Sequence, residues 1–386
     1  MKGRAVYVAG VAESPLGKVP DHSELSMMAV AAREALAEAG LRLRDVDGLF
    51  VRYRSSEPLV EPTVEFGEYV GIRPRYADST DIGGGSFEAY VHHALAAVAT
   101  GRCEVALLAH ASRQRSRRSR SMLAPADDYT LSGQFEAPYG LPSPIGQYAL
   151  IAARHMHEFG TTEEQLAEVA VAARQWAQLN PKAWERGPLT VADVLASEMV
   201  SSPLKRLDCC LITDGGAAVV VTTRERARDA VKRPVRVLGA SESHSHWHIA
   251  QMPDLTASPG GASARDAFAM AGVRPQDVDL VEPYDNFTST VIMHLEDLGF
   301  CQRGEGGPFV ADGRLGPGGD LPAMTSGGGL SYNHPGMLGL LLLVEAVRQL
   351  RGEAGARQVP QARLGVVHGI GGISFGAAAT VVLGRE

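Results

Sequence analysis

Short apolar runs alternate along the chain with longer segments whose apolar residues recur at helical spacing. The runs of strand character are "RAVYVAGVA" (4–12), "CEVALLAH" (103–110), "CCLITDGGAAVVVTT" (209–223), "PVRVLGASES" (234–243) and "LGVVHGIGGISFGAAATVVLG" (364–384). Between them lie amphipathic stretches that stop at glycine, as helices do. Two of these repeat: "AREALAEAGLRLRDVDGL" (32–49) matches "ARDAFAMAGVRPQDVDLV" (264–281). A second echo pairs "DIGGGSFEAYVHHALAAVATG" (81–101) with "SGGGLSYNHPGMLGLLLLVEAVRQLRG" (326–352), each a glycine-rich loop followed by an apolar helix. Strands alternating with helices predict an α/β architecture, and the repeats predict two similar halves, 1–232 and 233–386. Residues of about 112–205 break the pattern and are mostly helical, so they read as an insertion capping the first half.

Composition narrows the class. With 386 residues, 45% hydrophobic positions and a net charge of −7, the chain has the profile of a soluble globular protein with a large core. The acidic balance argues against nucleic acid as a partner. The longest apolar stretch, "GMLGLLLLVEAV", is too short for a membrane span and contains Glu345. The N-terminus lacks the apolar region and small-residue cleavage site of a signal peptide. The four cysteines form no CxxC motif, so neither a zinc site nor a disulfide framework is expected and a reducing cytoplasm is the simplest home. His244, His246 and His248 alternate, but nothing nearby completes a metal site, so no metal is expected.

The candidate chemistry gathers at the glycine-rich loops. His334 stands between such a loop and an apolar helix, with Tyr332 and Asn333 beside it. Glycines let backbone amides approach a ligand, and a helix start adds partial positive charge. The alternative is a structural cap on the helix. Five arginines, at 113, 115, 117, 118 and 120, form a solvated loop, a phosphate contact or a contact with a partner protein.

The chain resembles the thiolase superfamily, in its sterol-carrier or lipid-transfer-protein form. The resemblance rests on "HMHEFGTTEEQLAEVAVAAR", "PLKRLDCCLITDGGAAVVV", "VDLVEPYDNFTSTVIMHLEDLGFC" and the "NHPG" segment, which places His334 as the family's active-site histidine. It implies the thiolase fold: duplicated βαβαβαββ halves in five αβαβα layers, carrying a helical loop insertion. It also implies a CoA-thioester substrate and no cofactor.

The nucleophilic cysteine is missing, however. Its place falls at about Gly84, and the counterpart of the second cysteine is Gly369. Chemistry through a thioester enolate survives that loss. Among cysteine-less relatives the resemblance is to bacterial steroid side-chain aldolases, which implies retro-aldol cleavage of a 17-hydroxy-20-carboxyl-CoA steroid to a 17-ketosteroid and propionyl-CoA. It further implies a homodimer within a larger assembly with a small OB-fold (DUF35-type) partner.

On this reading Tyr332 and Tyr284 move protons, His334 holds the enolate oxygen, and Asp285 and Asn286 stand in the same loop. Each has a plainer alternative: the tyrosines as packing, Asp285 and Asn286 as turn formers. The amides of Gly84, Gly85, Ser86, Gly328, Gly329 and Gly371 are expected to face substrate, and Arg117 and Arg118 to reach CoA phosphates. The competing functions are an acyltransferase that recruits Ser86, and a non-catalytic lipid carrier or scaffold.

Overall fold

The computed structural model describes residues 4–53, 61–118, 129–141, 144–372 and 374–386. Its strands are β1 (Val6–Glu13), β2 (Gly48–Val51), β3 (Tyr76–Asp78), β4 (Val105–Ser112), β5 (Met199–Ser201), β6 (Leu204–Lys205), β7 (Gly215–Thr223), β8 (Val235–His244), β9 (Leu280–Pro283), β10 (Leu364–Gly371) and β11 (Ala377–Gly384). Nine of them run in the order β3-β2-β4-β7-β1-β8-β11-β10-β9, while β5 and β6 form a separate hairpin. The order is a mirrored pair. Within the first half it reads third, second, fourth, fifth, first; the second half continues outward as first, fifth, fourth, second. The third strand of the second half is reduced to a single parallel bridge between Val281 and Ala323. The strands of the two halves pair directly at β1 and β8, through Tyr7 with Arg236 and Val8 with Val235.

Helices fill five layers with these strands. Glu24–Glu38 and Pro62–Val70 cover the outer face of the first half, and Gly260–Ala271 and Thr288–Asp297 cover that of the second. Between the two halves lie Ser86–Ala99 and Gly339–Arg351, which touch strands on both sides. A helix enclosed on all sides is apolar all round. Gly339–Arg351 is nearly so: eleven of its thirteen residues are buried, and the polar ones among them are paired, Glu345 with Arg357 at 2.8 Å and Gln349 with the Arg357 carbonyl at 2.9 Å. Strands β1, β4, β7 and β11 are likewise buried at every position, because helices press on both faces.

The boundaries shift where turn geometry overrides hydrophobicity. The apolar run 209–223 becomes a strand only from Gly215, because Asp214 is committed to ties with the Val19 amide (2.8 Å) and the Ser116 amide (2.9 Å). The run 364–384 is a hairpin, with β10 antiparallel to β11. The insertion supplies the helices Ile145–Phe159 and Glu163–Gln178, the latter opened by a capping box at Thr162. It clasps the second glycine-rich loop through Asn180 Nδ2 on the Ser326 carbonyl (2.8 Å) and the Trp184 amide on the Tyr332 carbonyl (3.0 Å). The insertion therefore rests on the loop that carries His334.

Candidate active site

A cavity of about 410 Å³ opens where the two glycine-rich loops face each other, within the range of about 300–1,000 Å³ usual for small-molecule sites. Its lining includes Gly83, Gly84, Tyr284, Asn286, His334 and Ile370, with Arg52, His110, Tyr148 and Trp247 from other elements. Tyr284 follows β9 and His334 follows the turn Gly328–Tyr332, so both sit at the ends of buried elements. Crevices at strand ends are the usual ligand sites of α/β sheets.

Tyr284 Oη lies 3.1 Å from His334 Nε2, with the two rings edge to face at 5.7 Å. The Leu338 amide, at the start of the second central helix, donates to the same hydroxyl at 3.3 Å. That oxygen accepts from Leu338 and can in addition donate its proton to a His334 whose Nε2 is unprotonated. His334 itself stands before the helix, which begins at Gly339, so the helix start addresses Tyr284 instead. Burial holds the Tyr284 phenol well above its ordinary range. That shift keeps the phenol in its protonated form.

The glycine at 84 has a steric reason. A Cβ there would lie 2.5 Å from Tyr284 Cζ and 2.8 Å from its hydroxyl oxygen. The ring occupies the space a nucleophilic side chain would need. The space in front of Gly369 is likewise taken, by the Glu88 carboxylate, which also abuts Gly339. Glu88 is fully buried, has no hydrogen-bond partner among the described residues, and burial pushes its carboxyl up to about 8.

Several expected residues lie elsewhere. Tyr332 is buried but does not line the cavity: its hydroxyl donates to Glu13, which also accepts from Arg348 at 2.6 Å and from Lys182. Those cations outweigh burial and hold Glu13 down to about 2. Asp285 is fully buried and faces the glycine-rich loop, accepting the Gly329 amide (2.7 Å) and the Leu330 amide (3.0 Å). Burial raises its carboxyl to about 7, and the amides oppose the shift. Gly329 thus has its amide committed, and the Gly328 amide donates to Ser326 Oγ at 3.2 Å. The Gly85 amide donates to the Ile370 carbonyl. Ser86 is buried, with its hydroxyl on the Gly83 carbonyl at 2.6 Å and accepting from the Ile82 amide at 3.1 Å. Gly371 approaches the Ile82 carbonyl so closely that no side chain fits, and Gly372 lines the cavity in its place.

Arg117 pairs with Glu24 at 3.1 Å, and Arg118 ends its short helix with φ 49°; neither lines the cavity. Arg120 lies outside the described residues. The histidines 244, 246 and 248 form no cluster among the described residues, and His246 bonds the Ser374 carbonyl at 2.8 Å.

Sequence reasoning missed His110 and the Arg52–Asp81 ion pair at 2.6 Å. His110 follows the apolar residues 105–109 within β4, and a polar residue inside a buried strand was the available signal. Its ring bonds the Arg52 carbonyl at 2.6 Å, and burial pushes it down to about 4, keeping it neutral.

Comparison with known proteins places this geometry. Residues 241–385 match the family model described as Thiolase C-terminal domain-like. The chain is 38% identical over 367 residues to the 17-hydroxy-3-oxo-4-pregnene-20-carboxyl-CoA lyase of Mycobacterium tuberculosis, covering 91% of this chain and 92% of that one. The chain belongs to the thiolase superfamily. It is also 34% identical to an acetyl-CoA acetyltransferase of Methanothermobacter thermautotrophicus, over 99% of this chain and 100% of that one. Among solved structures, the Ltp2-ChsH2(DUF35) aldolase superposes with a TM-score of 0.88 at 34% identity, covering 99% of this chain and 98% of that one. Within the superfamily these relatives divide between a lyase, an aldolase and an acyltransferase, so the local chemistry at Gly84 matters.

Proposed function

We propose that the protein is a retro-aldol carbon–carbon lyase acting on a β-hydroxyacyl-CoA, with a 17-hydroxy-20-carboxyl-CoA steroid as substrate and a 17-ketosteroid and propionyl-CoA as products. The observation that carries this reading is the Tyr284–His334 pair standing over a glycine whose side-chain space it fills. An acyl-enzyme needs a nucleophile there. A retro-aldol cleavage needs only a path for one proton and donors for an enolate oxygen.

The pair supplies that path. Ionising an ordinary phenol at neutral pH costs about 4 kcal/mol, and burial makes Tyr284 worse still. A relay avoids the cost. The substrate hydroxyl gives its proton to Tyr284 Oη as the phenolic proton passes to His334 Nε2. The bond to the α-carbon breaks, its electron pair enters the thioester as an enolate, and the hydroxyl carbon becomes the ketone. Protonated His334 then faces the enolate oxygen as counter-charge. The proton returns by the same route to the α-carbon and releases propionyl-CoA. No tyrosinate forms and no cofactor is consumed. In this scheme Tyr332 and Asp285 act at a distance, by fixing the loop that carries His334.

The DUF35 component named with the solved relative supports a small OB-fold partner for this chain. We place the two in a larger assembly built on a homodimer. None of the described helices is long and apolar enough to cross a membrane, and all four cysteines are free, which supports a reducing cytoplasm.

The test is Tyr284→Phe. General acid–base groups contribute about 10²–10⁴-fold. Turnover should fall by at least about 100-fold while CoA-ester affinity holds. Unchanged turnover would remove Tyr284 from the mechanism.

A further inference from the structure

Behind the strand that leads to Tyr284 lies a second cluster that the proposed chemistry does not use. His294 and Asp297 project from one face of the helix Thr288–Asp297, three residues apart, and His368 comes from the middle of β10. One ligand atom from each lies within 4.8 Å of the others. Both histidines are fully buried, with rings near perpendicular at 75° and centroids 4.6 Å apart.

Buried imidazole nitrogens normally have partners. Here His368 Nε2 reaches no hydrogen-bond partner among the described residues, and His294 makes no well-aligned hydrogen bond, its ring only approaching the Tyr284 carbonyl. The remaining atoms are held as the outer shell of a metal site holds its ligands. His368 Nδ1 bonds Thr380 Oγ1 at 2.8 Å, which fixes the ring with Nε2 turned towards the cluster. Ser258 Oγ donates to Asp297 Oδ2 at 2.5 Å, and the His294 ring stands beside the Tyr284 carbonyl. A glycine keeps the centre open. A Cβ at Gly260 would lie 2.7 Å from Asp297 Oδ2, 2.8 Å from Ser258 Oγ and 3.1 Å from His368 Nε2.

We propose that His294, Asp297 and His368 hold one zinc ion. Two imidazoles and a carboxylate form the N/O donor set that zinc prefers, whereas calcium and magnesium call for oxygen alone. The fourth position is left to a water. The ion has no part in the proton relay. It pins the helix Thr288–Asp297 to β10, whose His368 carbonyl accepts the Tyr284 amide at 2.8 Å. A second triad, His92, His93 and Glu242, is a different case, because His93 already bonds Asp78 at 2.6 Å and Glu242 at 2.9 Å.

The experiment uses tag-free, full-length protein grown with zinc and freed of loose metal by gel filtration. Elemental mass spectrometry should find about one zinc per chain in the wild type. It should find at least about tenfold less in His294→Gln and His368→Gln, and no change in His92→Gln. Should a variant fail to fold, chelator-stripped wild type is titrated with Co²⁺, where the visible bands of a tetrahedral nitrogen–oxygen site are expected. Zinc-free wild type that gives no cobalt spectrum overturns the proposal. So does zinc retained in full by both folded histidine variants.

Discussion

Replacing Glu88 with glutamine should change how stability depends on pH. The carboxyl is fully buried between Gly339 and Gly369 with no side-chain partner among the described residues, and its pKa rises from 4.5 to about 8. Folding therefore favours the protonated form. Above pH 4.5 the unfolded chain gives up this proton while the native protein keeps it, so stability declines with rising pH until the native carboxyl also ionises. At 1.36 kcal/mol per pH unit, the Glu88 contribution falls by about 4 kcal/mol between roughly pH 5 and pH 9. Glutamine has nearly the same shape and does not titrate. Urea unfolding of both proteins across this range should show wild type losing ground to the variant by that amount, with most of the loss below pH 8. Other buried carboxyls, such as Asp285, cancel in the difference. A difference independent of pH would refute the reasoning and mean that Glu88 has a charge partner or water access.

Tyr332→Phe removes one of three donors to Glu13 and should cost about 1–2 kcal/mol of stability in denaturant unfolding. Because that hydroxyl points away from the cavity, kcat should stay within roughly threefold of wild type. A loss as large as that of Tyr284→Phe would bring Tyr332 back into the relay. Ser86→Ala removes a hydroxyl that closes the turn before the first central helix; about 1 kcal/mol of stability should go, with turnover preserved. An acyltransferase working through Ser86 would instead lose its activity outright.

The fold was legible in the sequence because its causes are local and repeated. The match of 32–49 with 264–281 appears as two helices that each lead into a strand, and glycine-ended helices fall where the pattern puts them. The missing third strand of the second half was not legible, since nothing in the residues around Ala323 says that only one bridge will form. At the site, His334 and Tyr284 were readable from their loops, yet the division of labour between the tyrosines was not. Tyr332 and Tyr284 look alike in sequence; what separates them is Glu13, 319 residues from Tyr332, which captures one hydroxyl. The tie of Asp285 to the Gly329 and Leu330 amides was not legible either, because it joins residues 44 and 45 positions apart. The His294–Asp297–His368 cluster was hidden by the 70 residues between its last two members.

The most direct test of the central claim follows products and protein together. The purified protein, co-expressed with its OB-fold partner, is incubated with a 17-hydroxy-20-carboxyl-CoA steroid and, separately, with acetyl-CoA and a 3-ketoacyl-CoA. Liquid chromatography with mass spectrometry reads the products, and intact-protein mass reads the enzyme. The account requires ketosteroid and propionyl-CoA in equal amounts with the protein mass unchanged throughout. An acylated protein, or acyl exchange between the thioesters, would contradict it.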